Sequence, residues 1–265
     1  MNINSYRYEY LPTEKGLFNN FIDVAYILTL ENSTRRLNYL DQIKKYNPHS
    51  KIIIQHNKGF KNCNKKLYKQ NTVCDLNDAY YHVFLHAKKH NYKNIIIFED
   101  DFFFDNININ DINEIGQFIN NNDYHIYNLG LGIGANIPYS IKHMKTLIGT
   151  CAHSVIYNHK YFDFYIEKYM KGFDAMCDNI WNDINIIKYT YYKAICFQTF
   201  PLTENIKNWP ASKLAIFFIN LVSLDKRHQP GFNIMYIINI LPFIIILFTF
   251  IIYLTMENDN ETSII

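Results

Sequence analysis

The sequence predicts an α/β domain built on a mixed sheet with helices on both faces, followed by one C-terminal transmembrane helix. Three observations predict it. Apolar runs of strand length alternate with segments of helical period between Val24 and Phe197, and no repeat period is visible. The stretch Phe232 to Thr255 runs 24 residues without a charge, interrupted only by Asn233, Asn239, Pro242 and Thr249, which is long enough to cross a bilayer. An apolar fraction of 49% in 265 residues supplies one domain of roughly 200 residues or two small ones.

In chain order, Val24 to Leu30 reads as a buried strand. Thr34 to Tyr46 reads as a helix with Leu37, Leu40 and Ile43 on one face. Lys51 to Asn57 is a second strand. Asp75 or Asn77 is the expected cap of a helix running to His90, and Asn94 to Phe98 follows as a fully apolar strand. A short helix over Asp111 to Asn121 leads to a strand at Tyr124 to Leu129, then a turn carrying Gly130, Gly132 and Gly134. One strand is expected over Ile148 to Tyr157, helices over Lys160 to Met170 and Asp178 to Ile187, and a last strand over Tyr189 to Phe197.

These elements divide the chain into a domain over 1–210, a juxtamembrane segment over 211–231, the spanning helix over 232–255 and a short tail over 256–265. Leu214 to Leu224 is too short to span and reads as a segment lying on the membrane surface or packed on the domain. Lys226, Arg227 and His228 precede the helix and Glu257, Asp259 and Glu261 follow it, so the positive-inside rule expects a single-pass tail anchor with the N-terminal domain facing the cytosol. The first twenty residues contain no apolar core of the kind a secretory signal needs. Five cysteines, without a C-x-x-C pair, suit a reducing compartment rather than a disulfide framework or a zinc site.

The balance of 26 basic against 24 acidic side chains, a net charge of +2, argues against nucleic acid as a partner. Abundant Asn, Ile and Lys share A/T-rich codons, so the Asn-rich patches carry no functional weight.

The most informative feature is the end of the strand at Phe98, where Glu99, Asp100 and Asp101 follow in succession. Packed like charges raise one another's energy unless a cation or a proton relieves them. In open α/β sheets, ligands bind outside the carboxyl ends of the strands. A divalent cation such as Mg²⁺ or Mn²⁺ takes carboxylate oxygens and completes its shell with phosphates and water. If the strand stays extended, Glu99 and Asp101 share one face and Asp100 takes the other. The plain alternative is an acidic turn facing solvent.

The run Ile95 to Asp101 resembles the apolar strand plus E-D-D of glycosyltransferase family 25, the lipooligosaccharide and procollagen galactosyltransferase group. Tyr26 to Leu30 followed by Arg35 and Arg36 is similar to that family's opening strand V-I-N-L and its basic residues, with Thr29 in place of Asn. Cys74 and Leu76 resemble its C-x-L-S-H segment, although Asn77 and Asp78 replace Ser and His; Gly149, Thr150, Ala152 and Ile156 resemble G-T-x-A-Y-x-I, with His153 in place of Tyr. The segment from Gln198 to Pro201, continuing to Glu204, Asn205 and Trp209, resembles the end of related domains encoded by large DNA viruses.

The resemblance implies a GT-A fold and a metal-dependent transfer, with inversion, of a hexose such as galactose or glucose from a UDP-sugar to a glycan, lipid-linked or protein acceptor. It implies that Asp101 binds the metal, Glu99 the metal or the donor ribose, and that Thr29, Asp100 and Arg35 or Arg36 lie near the nucleotide. His153 is a candidate third metal ligand or a hydrogen-bonded core histidine. Asp178, four residues after Asp174, is a candidate for the base that takes the acceptor's proton or for an N-cap. Two other classes stay open: a different metal-dependent phosphate-ester enzyme, such as a nucleotidyltransferase or phosphodiesterase, and a non-catalytic membrane-anchored binding module.

Two further patterns stand apart. His82, His86 and His90 share one helical face but lack the H-E-x-x-H of a zinc protease. Lys58, Lys61, Lys65, Lys66 and Lys69 form a basic loop able to meet a diphosphate or anionic headgroups, or simply solvent. The three glycines lack the G-x-G-x-x-G spacing of a dinucleotide site.

Overall fold

The structure is a computed structural model, and it describes residues 5–132, 134–173, 176–200, 212–221, 223 and 231–262. Nine strands form one mixed sheet: β1 (Tyr6–Pro12), β2 (Val24–Leu30), β3 (Lys51–Asn57), β4 (Asn94–Glu99), β6 (Ile126–Asn128), β7 (Gly134–Pro138), β8 (His143–Gly149), β9 (Ser154–Asn158) and β10 (Lys188–Tyr191), in the order β1-β3-β2-β4-β9-β6-β10-β8-β7. A separate ribbon pairs β5 (Phe102–Phe104) with β11 (Cys196–Gln198). The helices are α1 (Arg36–Tyr46), α2 (Thr72–Lys89), α3 (Ile109–Asn121), α4 (His159–Lys171), α5 (Cys177–Trp181), α6 (Ser212–Leu221) and α7 (Gly231–Thr262).

Strand alternation builds two cores. Ala25, Ile27, Ile96 and Phe98 point to the face covered by Tyr39 and Ile43 of α1 and by Ile112, Ile115 and Ile119 of α3. Val24, Tyr26, Ile95 and Ile97 point to the opposite face, covered by α2, α4 and α5 through Phe84, Tyr161 and Trp181. The expectation of a mixed sheet with helices on both faces therefore holds. β2, β3 and β4 are mutually parallel, while β9 enters antiparallel between β4 and β6.

Several boundaries differ from the sequence reading. The single strand expected over 148–157 is two strands, broken at residues 150–153 where Cys151 takes a left-handed φ of 74°. The strand expected over 189–197 also splits, its halves joining different sheets. α2 starts at Thr72 with Asn71 as its cap, accepting from the Cys74 amide, so neither Asp75 nor Asn77 caps it. α5 ends at Trp181, short of the expected Ile187, and its N-cap is Met176 rather than Asp178.

Beyond the domain, α7 is long and apolar enough over Tyr236–Leu254 to cross a membrane. Its first turns also touch the domain. Tyr236 Oη accepts from the Leu131 amide at 3.2 Å and bonds Thr190 Oγ1 at 2.8 Å. Asn239 clamps the glycine turn, its Oδ1 accepting from the Gly134 amide at 2.7 Å and its Nδ2 donating to the Gly132 carbonyl at 2.6 Å. A polar residue inside an apolar helix is thereby fully paired, as a water-poor setting demands.

Candidate functional site: a carboxylate crevice at the end of β4

From β2 the chain crosses through α1 to β3 on one side, and from β4 it leaves toward β9 and β6 on the other. The C-terminal ends of β2 and β4 thus face each other across a topological switch point, where an open α/β sheet leaves a crevice for ligands. β2 brings Thr29, the β2–α1 turn brings Ser33 and Arg35, and β4 brings the acidic run.

Asp100 is satisfied on every side. Its Oδ2 accepts from Thr29 Oγ1 at 2.8 Å and Ser33 Oγ at 2.7 Å, and its Oδ1 pairs with Arg35 Nη2 at 2.6 Å. Two hydroxyl donors and a guanidinium thus meet both oxygens of this buried carboxylate.

Asp101 is different. Gln198 Nε2 donates to its Oδ2 at 3.0 Å, but its Oδ1 is buried with no hydrogen-bond partner among the described residues. Burial, then the charge of Asp100, pushes its pKa up to about 6, against the opposing pull of Gln198 and Arg35. An unmatched buried carboxylate oxygen is costly in isolation. It is the group in the crevice that a cation would relieve.

The strand ends at Glu99, and Asp100 and Asp101 lie in a turn, so the expected strict alternation of Glu99 with Asp101 is not what the chain adopts. Glu99 Oε1 instead accepts from Tyr80 Oη of α2 at 3.1 Å. The charges that feel each other are Asp100 and Asp101.

His153 is wholly buried, and its Nε2 meets the Cys196 carbonyl at 3.2 Å. Burial pulls its pKa down to about 4, so the ring is neutral. Gly130 makes this contact possible: a Cβ there would stand 2.1 Å from the Cys196 oxygen and 2.4 Å from His153 Nε2. The expected metal set of Glu99, Asp101 and His153 is accordingly not assembled, because among the described residues no three His, Cys, Asp or Glu side chains converge to hold an ion. The core-histidine reading is the one this packing matches.

Of the two arginines, only Arg35 reaches the crevice. Arg36 points to β1, where Nη2 meets Glu9 Oε1 at 2.8 Å; this pairing, Arg36 first, holds the Glu9 carboxyl down at about 2. Asp178 lies in α5, but its side chain and Asp174 fall outside the described residues.

Members of the other two patterns pack within the domain. His86 Nδ1 bonds Tyr26 Oη at 2.6 Å and stacks on Tyr8, while His82 faces Asp78 and the Tyr6 ring. Lys65 is buried, with Nζ 2.6 Å from Asp75 Oδ1 and 2.7 Å from Asn57 Oδ1, so it is not a free cation of the basic loop. Ser33 and Gln198 are the site residues that motif reasoning passed over. Ser33 sits in the polar segment ahead of α1, and Gln198 opens the late segment quoted for its resemblance to viral domains, but neither signals a contact with an aspartate 67 or 97 positions away. A cavity of about 310 Å³ lies where Tyr68, Cys74, Asn77, Tyr169 and Phe173 meet, at the N-terminal end of α2.

Fold and site together define a mixed α/β domain with a buried pair of aspartates at the switch point of its parallel strands. No family model and no curated protein sequence matches the chain. Among solved structures, the crystal structure of A197 from STIV is similar over 66% of this chain and 82% of that chain, at 11% identity and a TM-score of 0.42.

Proposed function

We propose that the chain is a membrane-anchored glycosyltransferase of GT-A type, related to glycosyltransferase family 25, that moves a hexose from a UDP-sugar to an acceptor hydroxyl. The observation that carries this reading is Asp101 Oδ1, buried and unpartnered beside a fully satisfied Asp100 at the end of β4. The parallel trio β3-β2-β4 with antiparallel β9 beside it supports a GT-A arrangement.

A Mn²⁺ or Mg²⁺ site of this kind needs one or two carboxylates, with phosphate oxygens and water supplying the rest. Asp101 would hold the ion with Asp100 beside it, which fits the residues present without His153. Such an ion supplies charge neutralisation on a leaving diphosphate. Arg35 holds Asp100 in place and adds positive charge at the same mouth. Thr29 and Ser33 fix the second oxygen of Asp100, so the carboxylate is pre-oriented before any ligand arrives. Lys226, Arg227 and His228 ahead of the spanning helix favour a cytosolic domain.

The test is a thermal-shift panel on the full chain with nucleotide sugars, with and without Mn²⁺, since a ligand of the native state raises Tm by mass action. A UDP-sugar shift that requires metal, together with hexose in the product, supports the reading. Release of phosphate or nucleotide without sugar transfer would assign the crevice to other phosphate-ester chemistry. No metal-dependent shift with any donor would remove the reading.

A further inference from the structure

We propose that α6 and the first turns of α7 seat the domain directly on a lipid leaflet, so that the protein is docked on the bilayer as well as tethered to it. This does not depend on the chemistry of the crevice.

α6 has two apolar faces with different fates. Ile219 is buried in a cluster with Phe103, Leu131, Phe197 and Tyr236, so one face of the helix is spoken for by the domain. On the other, Leu214, Phe217 and Leu221 are 55%, 57% and 63% exposed. Their i, i+3, i+7 spacing makes one continuous stripe. Large apolar side chains this exposed along one stripe favour an apolar surface against them.

Continuity with α7 identifies that partner as lipid. Ile219 and Tyr236 belong to the same cluster, and Tyr236 opens the apolar span that runs to Leu254. α6 therefore lies beside the point where the spanning helix leaves the domain, with its exposed stripe on the side away from this cluster. β7 packs on α7, and its hairpin partner β8 presents Leu147 and Ile148, 48% and 58% exposed, so the neighbouring strand is apolar outward too.

The length of α7 removes the slack. Asn239 is still hydrogen-bonded to the domain through Gly132 and Gly134. From there to Met256, the last residue before Glu257, the helix rises about 26 Å, against roughly 30 Å for the hydrocarbon core. Closing the span puts the glycine turn at the headgroup boundary, with α6 beside it through the packing of Ile219 on Tyr236. Phe103 of β5 joins this cluster two residues after Asp101, so the carboxylate crevice stands close to the membrane surface.

The test places a tryptophan reporter on the stripe. Phe217→Trp, and Leu214→Trp as a second reporter, are made in the full chain and reconstituted in phosphatidylcholine vesicles carrying a doxyl label at a shallow or a deep acyl position. Tyr10→Trp, on the far edge strand β1, is the control. The proposal expects emission from both stripe variants to be quenched on the order of twofold beyond the parent chain, more by the shallow label, while Tyr10→Trp matches the parent. Parent-level quenching at both stripe positions would overturn it. So would quenching at Tyr10→Trp equal to that at the stripe, or protection of the stripe that rises with protein concentration, which would assign the face to a second copy of the chain.

Discussion

Arg35 Nη2 lies 2.6 Å from Asp100 Oδ1, and this ion pair divides the acidic run into one carboxylate that is neutralised and one that is not. Removing the guanidinium leaves Asp100 buried with only two hydroxyl donors. Arg35→Met is expected to cost about 2–4 kcal/mol in urea unfolding, whereas Arg36→Met, which loses a pair with half-exposed partners, costs no more than about 1 kcal/mol. Equal losses in the two variants would show that the crevice pair has no special weight.

Asp101 is held at a cost in stability. Its folded-state pKa is raised to about 6 by burial and by Asp100, so between the unfolded value and pH 6 the native state binds more protons than the unfolded one. Stability from this group falls as pH rises through that window, by about 3 kcal/mol at full ionisation. Asp101→Asn keeps an oxygen for Gln198 and removes the charge. Its denaturation midpoint should equal that of the parent near pH 4 and exceed it increasingly up to pH 7. A constant offset between the two proteins would contradict the assignment.

His153 acts in the opposite direction. Its pKa is depressed to about 4 by burial, so its contribution is present above the unfolded value near 6.5 and is lost as pH falls toward 4. His153→Gln can still donate to the Cys196 carbonyl and should be less acid-sensitive than the parent at a cost below about 1.5 kcal/mol, while His153→Phe leaves that carbonyl unpaired and should cost about 1–3 kcal/mol more. Chemical denaturation at pH 5 and pH 7 distinguishes them.

Asn239→Leu makes the spanning run more apolar, and composition alone would call it stabilising. The structure expects the reverse, because the Gly132 carbonyl and Gly134 amide lose their partners. Faster hydrogen exchange at the Gly134 amide and a loss of about 1–3 kcal/mol are the expected results. Unchanged exchange would mean that Asn239 does not clamp the turn.

The central strands were legible because each carries an apolar run buried on both faces. Lys51–Asn57 matches residue for residue, and Asn94–Phe98 falls one residue short. β1 was not, since Tyr6, Tyr8 and Tyr10 alternate with Arg7 and Glu9 and the apolar character rests on tyrosines that pack against His82 and His86. β5 is three phenylalanines long, too short for a period. The location of the acidic run at a strand end could be read from residues alone. Its internal division could not, because the turn at Asp100 and Asp101 cancels the alternation and the partners come from elsewhere. Arg35 and Arg36 are chemically identical neighbours, and only the entry angle of α1 sends one to Asp100 and the other to Glu9.

The proposed function rests on Asp101 as the carboxylate that would hold a divalent cation together with a nucleotide sugar. Electron paramagnetic resonance of Mn²⁺ titrated into the full chain, with and without UDP-hexose, reads it directly through the loss of the free-ion signal. The account predicts about one ion bound per chain, tightened by the UDP-hexose, retained in Arg36→Met and abolished in Asp101→Asn. Mn²⁺ binding that is indifferent to the UDP-hexose, or that survives unchanged in Asp101→Asn, would contradict it.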